Sequence, residues 1–137
     1  MTQEEKDLLL KDLSARLQYG VEVEYNNINC EVLSIDKYNE ELTIWICTGY
    51  STIVKLEDVK PYLFPLSSMT EEQKKAAPFE SSLLNAFING YISLFEDEEL
   101  TLDDLNRLYD WFNENHFDYR GLIPMDLAND ATGLNIY

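Results

Sequence analysis

A chain of 137 residues is long enough to close one hydrophobic core and short for two. Its 45% hydrophobic content, with nine Tyr, six Phe and two Trp, excludes wholesale disorder, because that much apolar surface offsets chain entropy on burial. A formal charge of -16 disfavours direct binding of nucleic-acid phosphates, which takes clustered Lys and Arg, and leaves only a locally basic face for it.

The charge is uneven. Residues 1–78 carry eight basic and fourteen acidic side chains, whereas residues 79–137 carry only Arg107 and Arg120 against twelve acids. Basic proteins or cations are therefore the expected partners. Met1 to Asp7 is acidic and polar where an export signal places basic residues ahead of an apolar stretch. No window approaches the ~18 uninterrupted apolar residues of a membrane span. The expected setting is cytoplasmic, with no membrane association.

In chain order, Thr2 followed by Glu5 fits a capping box, and Leu9, Leu10, Leu13 and Leu17 recur at helical spacing, predicting a helix from Thr2 to Gln18 with Gly20 at its exit. The period then changes to two. Val21, Val23 and Tyr25 alternate with Glu22 and Glu24, and Ile28, Cys30 and Val32 alternate with Asn29 and Glu31, a hairpin turning at Asn26-Asn27. A polar turn from Asp36 to Glu41 leads into a third strand, where Leu42, Ile44 and Ile46 alternate with Thr43 and Trp45. After Thr48 to Tyr50, Ser51 to Leu56 reads as a fourth strand. Cys30 and Cys47 fall on opposite faces of their strands relative to the apolar residues, which predicts two reduced thiols and no disulfide.

Leu56 to Leu63 contains Pro61, which argues against a continuing central strand and predicts a single helical turn. The order of these strands is like that of SH3-like small barrels, an analogy of fold alone. Phe64 to Ala77 reads as a packed connector with a second capping box at Thr70 and Gln73, ended by Pro78. Leu83, Leu84, Phe87, Ile88, Tyr91, Ile92 and Phe95 predict an amphipathic helix from Ser81 to Phe95, interrupted in propensity by Gly90. A further helix from Leu102 to Asn115, capped by Thr101, turns Leu105, Leu108, Tyr109 and Phe112 inward, so the two form an antiparallel pair. The tail from Phe117 to Tyr137 predicts a turn at Asp118 and Gly121, one helical turn from Pro124 to Ala128, and a loose stretch from Asn129 to Gly133.

The expected fold is thus a single α+β domain over residues 1–137. Residues 1–63 form a helix plus a four- to five-stranded antiparallel sheet of SH3-like barrel type, 64–78 the connector, and 79–137 an acidic helical part.

Three kinds of candidate site follow. Glu96, Asp97, Glu98 and Glu99, near Asp103 and Asp104, are a candidate surface for a cationic or basic partner. Their spacing is wrong for an EF-hand loop, and Asp103 and Asp104 also suit a helix N-terminus, so no metal and no cofactor is expected. His116 is the only histidine, and with Asp118 and Tyr119 it makes a weak candidate for general-base chemistry; a histidine just past a helix end more simply caps carbonyls. Trp45 and Trp111 fall off the predicted inward faces and are candidate contact residues.

Leu8 to Val21 (LLLKDLSARLQYGV), Val59 to Lys75 (VKPYLFPLSSMTEEQKK) and His116 to Ala128 (HFDYRGLIPMDLA) together resemble a recurrent set of small proteins of gut Bacteroidetes and of their phages and mobile elements. The resemblance implies a bacterial or phage cytoplasmic setting and no assigned activity. The acidic region from Glu96 to Asp104 stands outside that pattern. The reading that follows is a non-enzymatic protein-interaction module whose acidic surface meets a basic partner. The alternatives are a DNA mimic that inhibits a nucleic-acid-binding protein and a small hydrolase built on His116 and Asp118. Nucleic-acid binding through the barrel has only Lys55, Lys60, Lys74 and Lys75 to draw on. The oligomeric state is left open.

Overall fold

The computed structural model describes residues 1–46, 49–78, 84, 85, 88, 89 and 101–137. The predicted helix is α1, Gln3–Arg16. Its capping box is closed by the Thr2 hydroxyl accepting from the Glu5 N–H at 3.1 Å, while the Glu5 carboxylate accepts from the Thr2 N–H at 3.0 Å. A short 3-10 turn, Leu17–Tyr19, and Gly20 at φ +83° end it.

Four strands follow as the alternation requires: β1 (Glu22–Tyr25), β2 (Ile28–Asp36), β3 (Glu41–Ile46) and β4 (Tyr50–Lys55). Asn26 and Asn27, at φ +50° and +62°, make the tight hairpin between β1 and β2, a conformation that asparagine tolerates better than most residues. A 3-10 turn, Leu56–Asp58, then leads into β5 (Val59–Pro65). The antiparallel ladder runs β4-β3-β2-β1-β5.

Only the 3-10 turn matches the expectation for Leu56 to Leu63, because Pro61 lies within β5 in register with Val23 of β1. The strand accepts it because, among the described residues, β1 is its one neighbour at Pro61. Two further strands from the tail, β6 (Phe117–Asp118) and β7 (Asn129–Asp130), join the other side of β5 only from Phe64 and Tyr62 onward. Both pair in parallel, so the sheet is mixed rather than wholly antiparallel, and it is not closed into a barrel.

The connector supplies α2, Glu71–Ala76, with the expected box between Thr70 and Gln73. The last helix is α3, Leu102–Glu114, capped by Thr101. Most of the expected helix from Ser81 to Phe95, with Gly90, lies outside the described residues, as does Cys47. Of its apolar positions Leu84 is buried and Ile88 is partly buried.

The core is divided into two clusters. Leu9, Leu10 and Leu13 of α1 pack on the inner face of the sheet, against Val23, Cys30, Val32, Leu42, Ile44 and Val54. Phe112 and Leu108 of α3 pack with Phe117, Met69 and Leu84 in the second. Leu63 belongs to the first cluster and its neighbour Phe64 borders the second, as successive strand residues pointing to opposite faces must. The tail closes the first cluster with Leu122, Leu127 and Ala128, and the Ala131 N–H donates to the Leu63 carbonyl at 2.8 Å. The stretch expected to be loose is therefore tied to β5, and Pro124 lies in a bonded turn rather than a helix.

A docked tail predicts that Leu122→Ala, at a site with no solvent exposure, costs about 2–5 kcal/mol in urea unfolding. A loss below measurement error would mean that the tail contributes nothing to the core.

Candidate functional site

Two places concentrate unusual chemistry. The first is buried. Positions 9, 12, 13 and 16 share one face of α1, and two of them are charged: Asp12 and Arg16 have no exposed side-chain surface. Arg16 Nε donates to Asp12 Oδ2 at 2.9 Å, and Arg16 Nη2 donates to Asp12 Oδ1 at 3.1 Å and to the Phe117 carbonyl at 2.6 Å. Arg120 Nε reaches the same Asp12 Oδ1 at 3.1 Å, and Arg120 Nη2 donates to the Tyr119 hydroxyl, which donates to Asn113 Oδ1 at 3.0 Å. Both guanidinium groups lie near the Tyr119 ring, at 5.3 and 4.8 Å from its centroid, which adds cation–π attraction. Among the described residues, Arg16 Nη1 has no hydrogen-bond partner.

The candidate general-base residues border this cluster but do not act together. His116 sits at φ +63° just past α3, and its ring stacks on Tyr137 with centroids 3.4 Å apart and 10° between planes. Burial, reinforced by the charge of Arg16, lowers its pKa to about 4, so it is neutral at pH 7. Asp118 accepts the backbone N–H groups of Leu122 and Ile123, both at 2.9 Å, and so holds the turn. Tyr119 is engaged by Arg120 and Asn113. Among the described residues no hydrogen bond joins His116, Asp118 and Tyr119 to one another, and His116 Nδ1 has no partner. The carbonyl-capping role expected of His116 falls to Asn115, whose Nδ2 donates to the Trp111 carbonyl at 2.9 Å. The Tyr137 hydroxyl, its pKa pushed up to about 12 by burial, donates to the Tyr62 carbonyl and accepts from the Glu22 N–H.

The second place is the outer face of the sheet. Trp45 is 44% exposed, and Leu33 and Ile53 are also open to solvent, at 45% and 65%. Ser51, Trp45, Glu31 and Glu22 form one cross-strand row over β4, β3, β2 and β1. The carboxylates of Glu22 and Glu31 thus meet across the strands, and burial together with the charge of Glu31 raises the pKa of Glu22. Leu33 is turned outward at the register shift between Val32 and Ser34, where β2 carries one residue more than β3.

The other predicted residues divide. Trp111 is half-buried, stacked on Phe117 at 5.6 Å, and therefore belongs largely to the second core cluster. Asp104 closes the α3 capping box and accepts from Arg107 at 2.8 Å, while Asp103 is exposed. Glu96, Asp97, Glu98 and Glu99 lie outside the described residues. Exposed carboxylates otherwise spread over α1 (Glu4, Asp7), the sheet (Glu31), α2 (Glu71, Glu72) and α3 (Asp103, Asp110, Glu114). Three of the four lysines considered for nucleic acid face acids: Lys60 bonds Asp126 at 2.8 Å, Lys74 meets Glu71 at 3.4 Å, and Lys55 lies opposite Glu41. Among the described residues no three His, Cys, Asp or Glu side chains are placed to hold a metal ion, and no helix is long and apolar enough to cross a membrane.

Sequence reasoning passed over Asp12, Arg16, Leu33 and Ile53. The first two had a signal, since charged residues occupied the apolar stripe of α1. Ile53 had one too, since it adjoins Val54 in a strand and the two must point to opposite faces. Leu33 had none, because a bulge is a property of two strands together.

Two measurements follow from the buried cluster. Asp12→Ala strands the Arg16 charge and is expected to cost about 3–5 kcal/mol in denaturant unfolding, whereas Asp12→Leu combined with Arg16→Met recovers most of that loss. For His116, the folded pKa of about 4 lies below the ordinary 6.5, so the unfolded chain takes up the proton first. Its contribution is complete above pH 6.5 and is lost as the pH falls towards 4. His116→Asn, which suits a positive φ, is expected to reduce the stability difference between neutral pH and pH 4 by about 3 kcal/mol. An unchanged pH profile would show that His116 is not held neutral.

No protein-family model, no curated protein and no solved structure matches this chain, so its function is read from the geometry of its own residues.

Proposed function

We propose that the chain is a non-enzymatic protein-interaction module whose outer sheet face and acidic surroundings take a partner with a basic surface. The observation that carries this reading is Trp45, exposed on that face in one row with Glu31 and Glu22 and flanked by exposed Leu33 and Ile53. An accessible tryptophan supplies a large apolar contact, which is where binding energy concentrates in protein interfaces. The nearby carboxylates steer a basic partner and select against acidic ones. Like charges opposite one another across strands are unfavourable, so a cation arriving beside Glu22 and Glu31 relieves a cost already present in the uncomplexed chain. Asp103, Asp110 and Glu114 of α3 are further exposed carboxylates in the acidic half of the chain. The engagement of His116, Asp118 and Tyr119 in stacking and structural bonds favours binding over catalysis as the role of the domain.

The proposed architecture is SH3-like, supported by the ladder order β4-β3-β2-β1-β5 and by the 3-10 turn between β4 and β5, with an α-helical pair completing the C-terminal half. The proposed setting is the cytoplasm of a gut bacterium or its phage, as the resemblance of the three sequence stretches implies.

Pull-down from a bacterial lysate at low and high salt tests the proposal, with wild-type chain and Trp45→Ala as baits of equal helicity by circular dichroism. The expected result is a specific basic protein retained by wild type, weakened by salt and lost with Trp45→Ala. Recovery of no specific partner at either salt, or equal recovery by both baits, would count against it.

A further inference from the structure

Strand β4 is the terminal member of the antiparallel ladder, and among the described residues it pairs with β3 alone. Its register with β3 runs without a shift from Glu41 opposite Lys55 to Ile46 opposite Tyr50. One step beyond, the Leu56 N–H donates to the Glu40 carbonyl at 2.9 Å. In an antiparallel ladder, residues that exchange bonds with the partner alternate with residues whose N–H and C=O point away from it. Counting back from Leu56, the residues Val54, Thr52 and Tyr50 turn their backbone groups to β3. Lys55, Ile53 and Ser51 turn theirs to the open edge. The same three residues carry exposed side chains on the outer face, so backbone valence and side-chain contact are offered together.

The surroundings specify what fits there. Ser51 lies next to Trp45 and is small, which leaves the indole reachable from a strand laid alongside β4. Neighbouring strands lie about 4.8 Å apart, so such a strand runs about 10 Å from the axis of β3, a span that an arginine side chain and the indole cover between them. Ile53 is 65% exposed and borders a groove lined by Ser34, Asp36, Glu41 and Thr43. Carboxylates therefore lie inward of the edge in two cross-strand rows, Glu31 beyond Trp45 in the row of Ser51, and Glu41 with Asp36 in the row of Lys55. The like-charged residue on the edge itself, Lys55, is opposite Glu41. A second copy of the chain fits poorly, because it brings another -16 to the same edge.

We infer that β4 is a strand-addition site for an extended basic segment of another protein, paired to Ser51, Ile53 and Lys55, with an arginine or lysine opposite Ser51 reaching Trp45 and an apolar residue opposite Ile53. Main-chain bonds supply affinity in this mode of recognition, and alternate side chains supply specificity. The inference rests on the interaction reading above and adds the mode of docking and the partner's pattern.

The test is amide hydrogen exchange followed by NMR on the full wild-type chain, with a seven-residue peptide in which threonine alternates with arginine, valine and serine, so that arginine falls opposite Ser51, valine opposite Ile53 and serine opposite Lys55. The expected result is slowing of at least about tenfold at Ser51, Ile53 and Lys55, with Thr52 and Val54 unchanged and the Trp45 indole N–H resonance shifted. The same peptide with its backbone N-methylated at alternate residues is expected to give no slowing. A shifted Trp45 resonance without protection of the three amides would overturn strand addition while leaving the outer-face interaction reading intact. Neither shift nor protection would overturn both. Protection that appears without peptide and grows with chain concentration would assign the edge to self-pairing, and would likewise overturn the inference.

Discussion

Arg16 brings a permanent positive charge to a site with no solvent exposure, and the groups that answer it come from both ends of the chain. Asp12, one helical turn earlier, takes two of its donors, and the Phe117 carbonyl takes a third contact from 101 residues away. Arg120 then shares the Asp12 carboxylate, and Tyr119 lies within cation–π reach of both guanidinium groups. Removing two charges from water costs several kcal/mol per ion, so such a cluster forms only when the geometry of every member is fixed. The cluster thereby ties α1 to the chain at Phe117 and Arg120, and removing one member costs more than the intact set contributes.

That placement organises the rest. With α1 held over the inner face, Leu9, Leu10 and Leu13 fill the concavity of the ladder, and the tail closes the cluster through Leu122, Leu127 and Ala128. β5 is the seam. It pairs with β1 on one side and receives β6 and β7 on the other, and its alternate residues serve the two core clusters. Tyr137 completes the arrangement by stacking on His116 and bonding β1 and β5 through its hydroxyl. The histidine is thus part of the packing, and its neutrality is a consequence of where the chain buries it.

The second core cluster reaches the opposite face of the sheet at Phe64 of β5, while over β2, β3 and β4 that face exposes Leu33, Trp45 and Ile53. On the proposed reading, these few and separated apolar residues, bordered by carboxylates, suit a reversible contact with a basic surface rather than a permanent apolar one. The outer face and the edge of β4 meet at Ser51 and Ile53, so the proposed partner segment would use both.

The sequence by itself determined the local elements. Capping boxes at Thr2, Thr70 and Thr101 join residues three apart, and the alternation from Val21 to Val54 repeats every second residue, so each can be read within a short window. The inward positions of α3 and the outward position of Trp45 follow from the same periods. Tertiary structure alone decided the placement of Pro61 in β5, the two-residue strands β6 and β7, the bulge that exposes Leu33, and the meeting of Asp12 with Arg120 across 108 residues. None of these has a period, because each depends on which distant segment lies alongside, and a pairing between remote residues leaves no pattern in either of them.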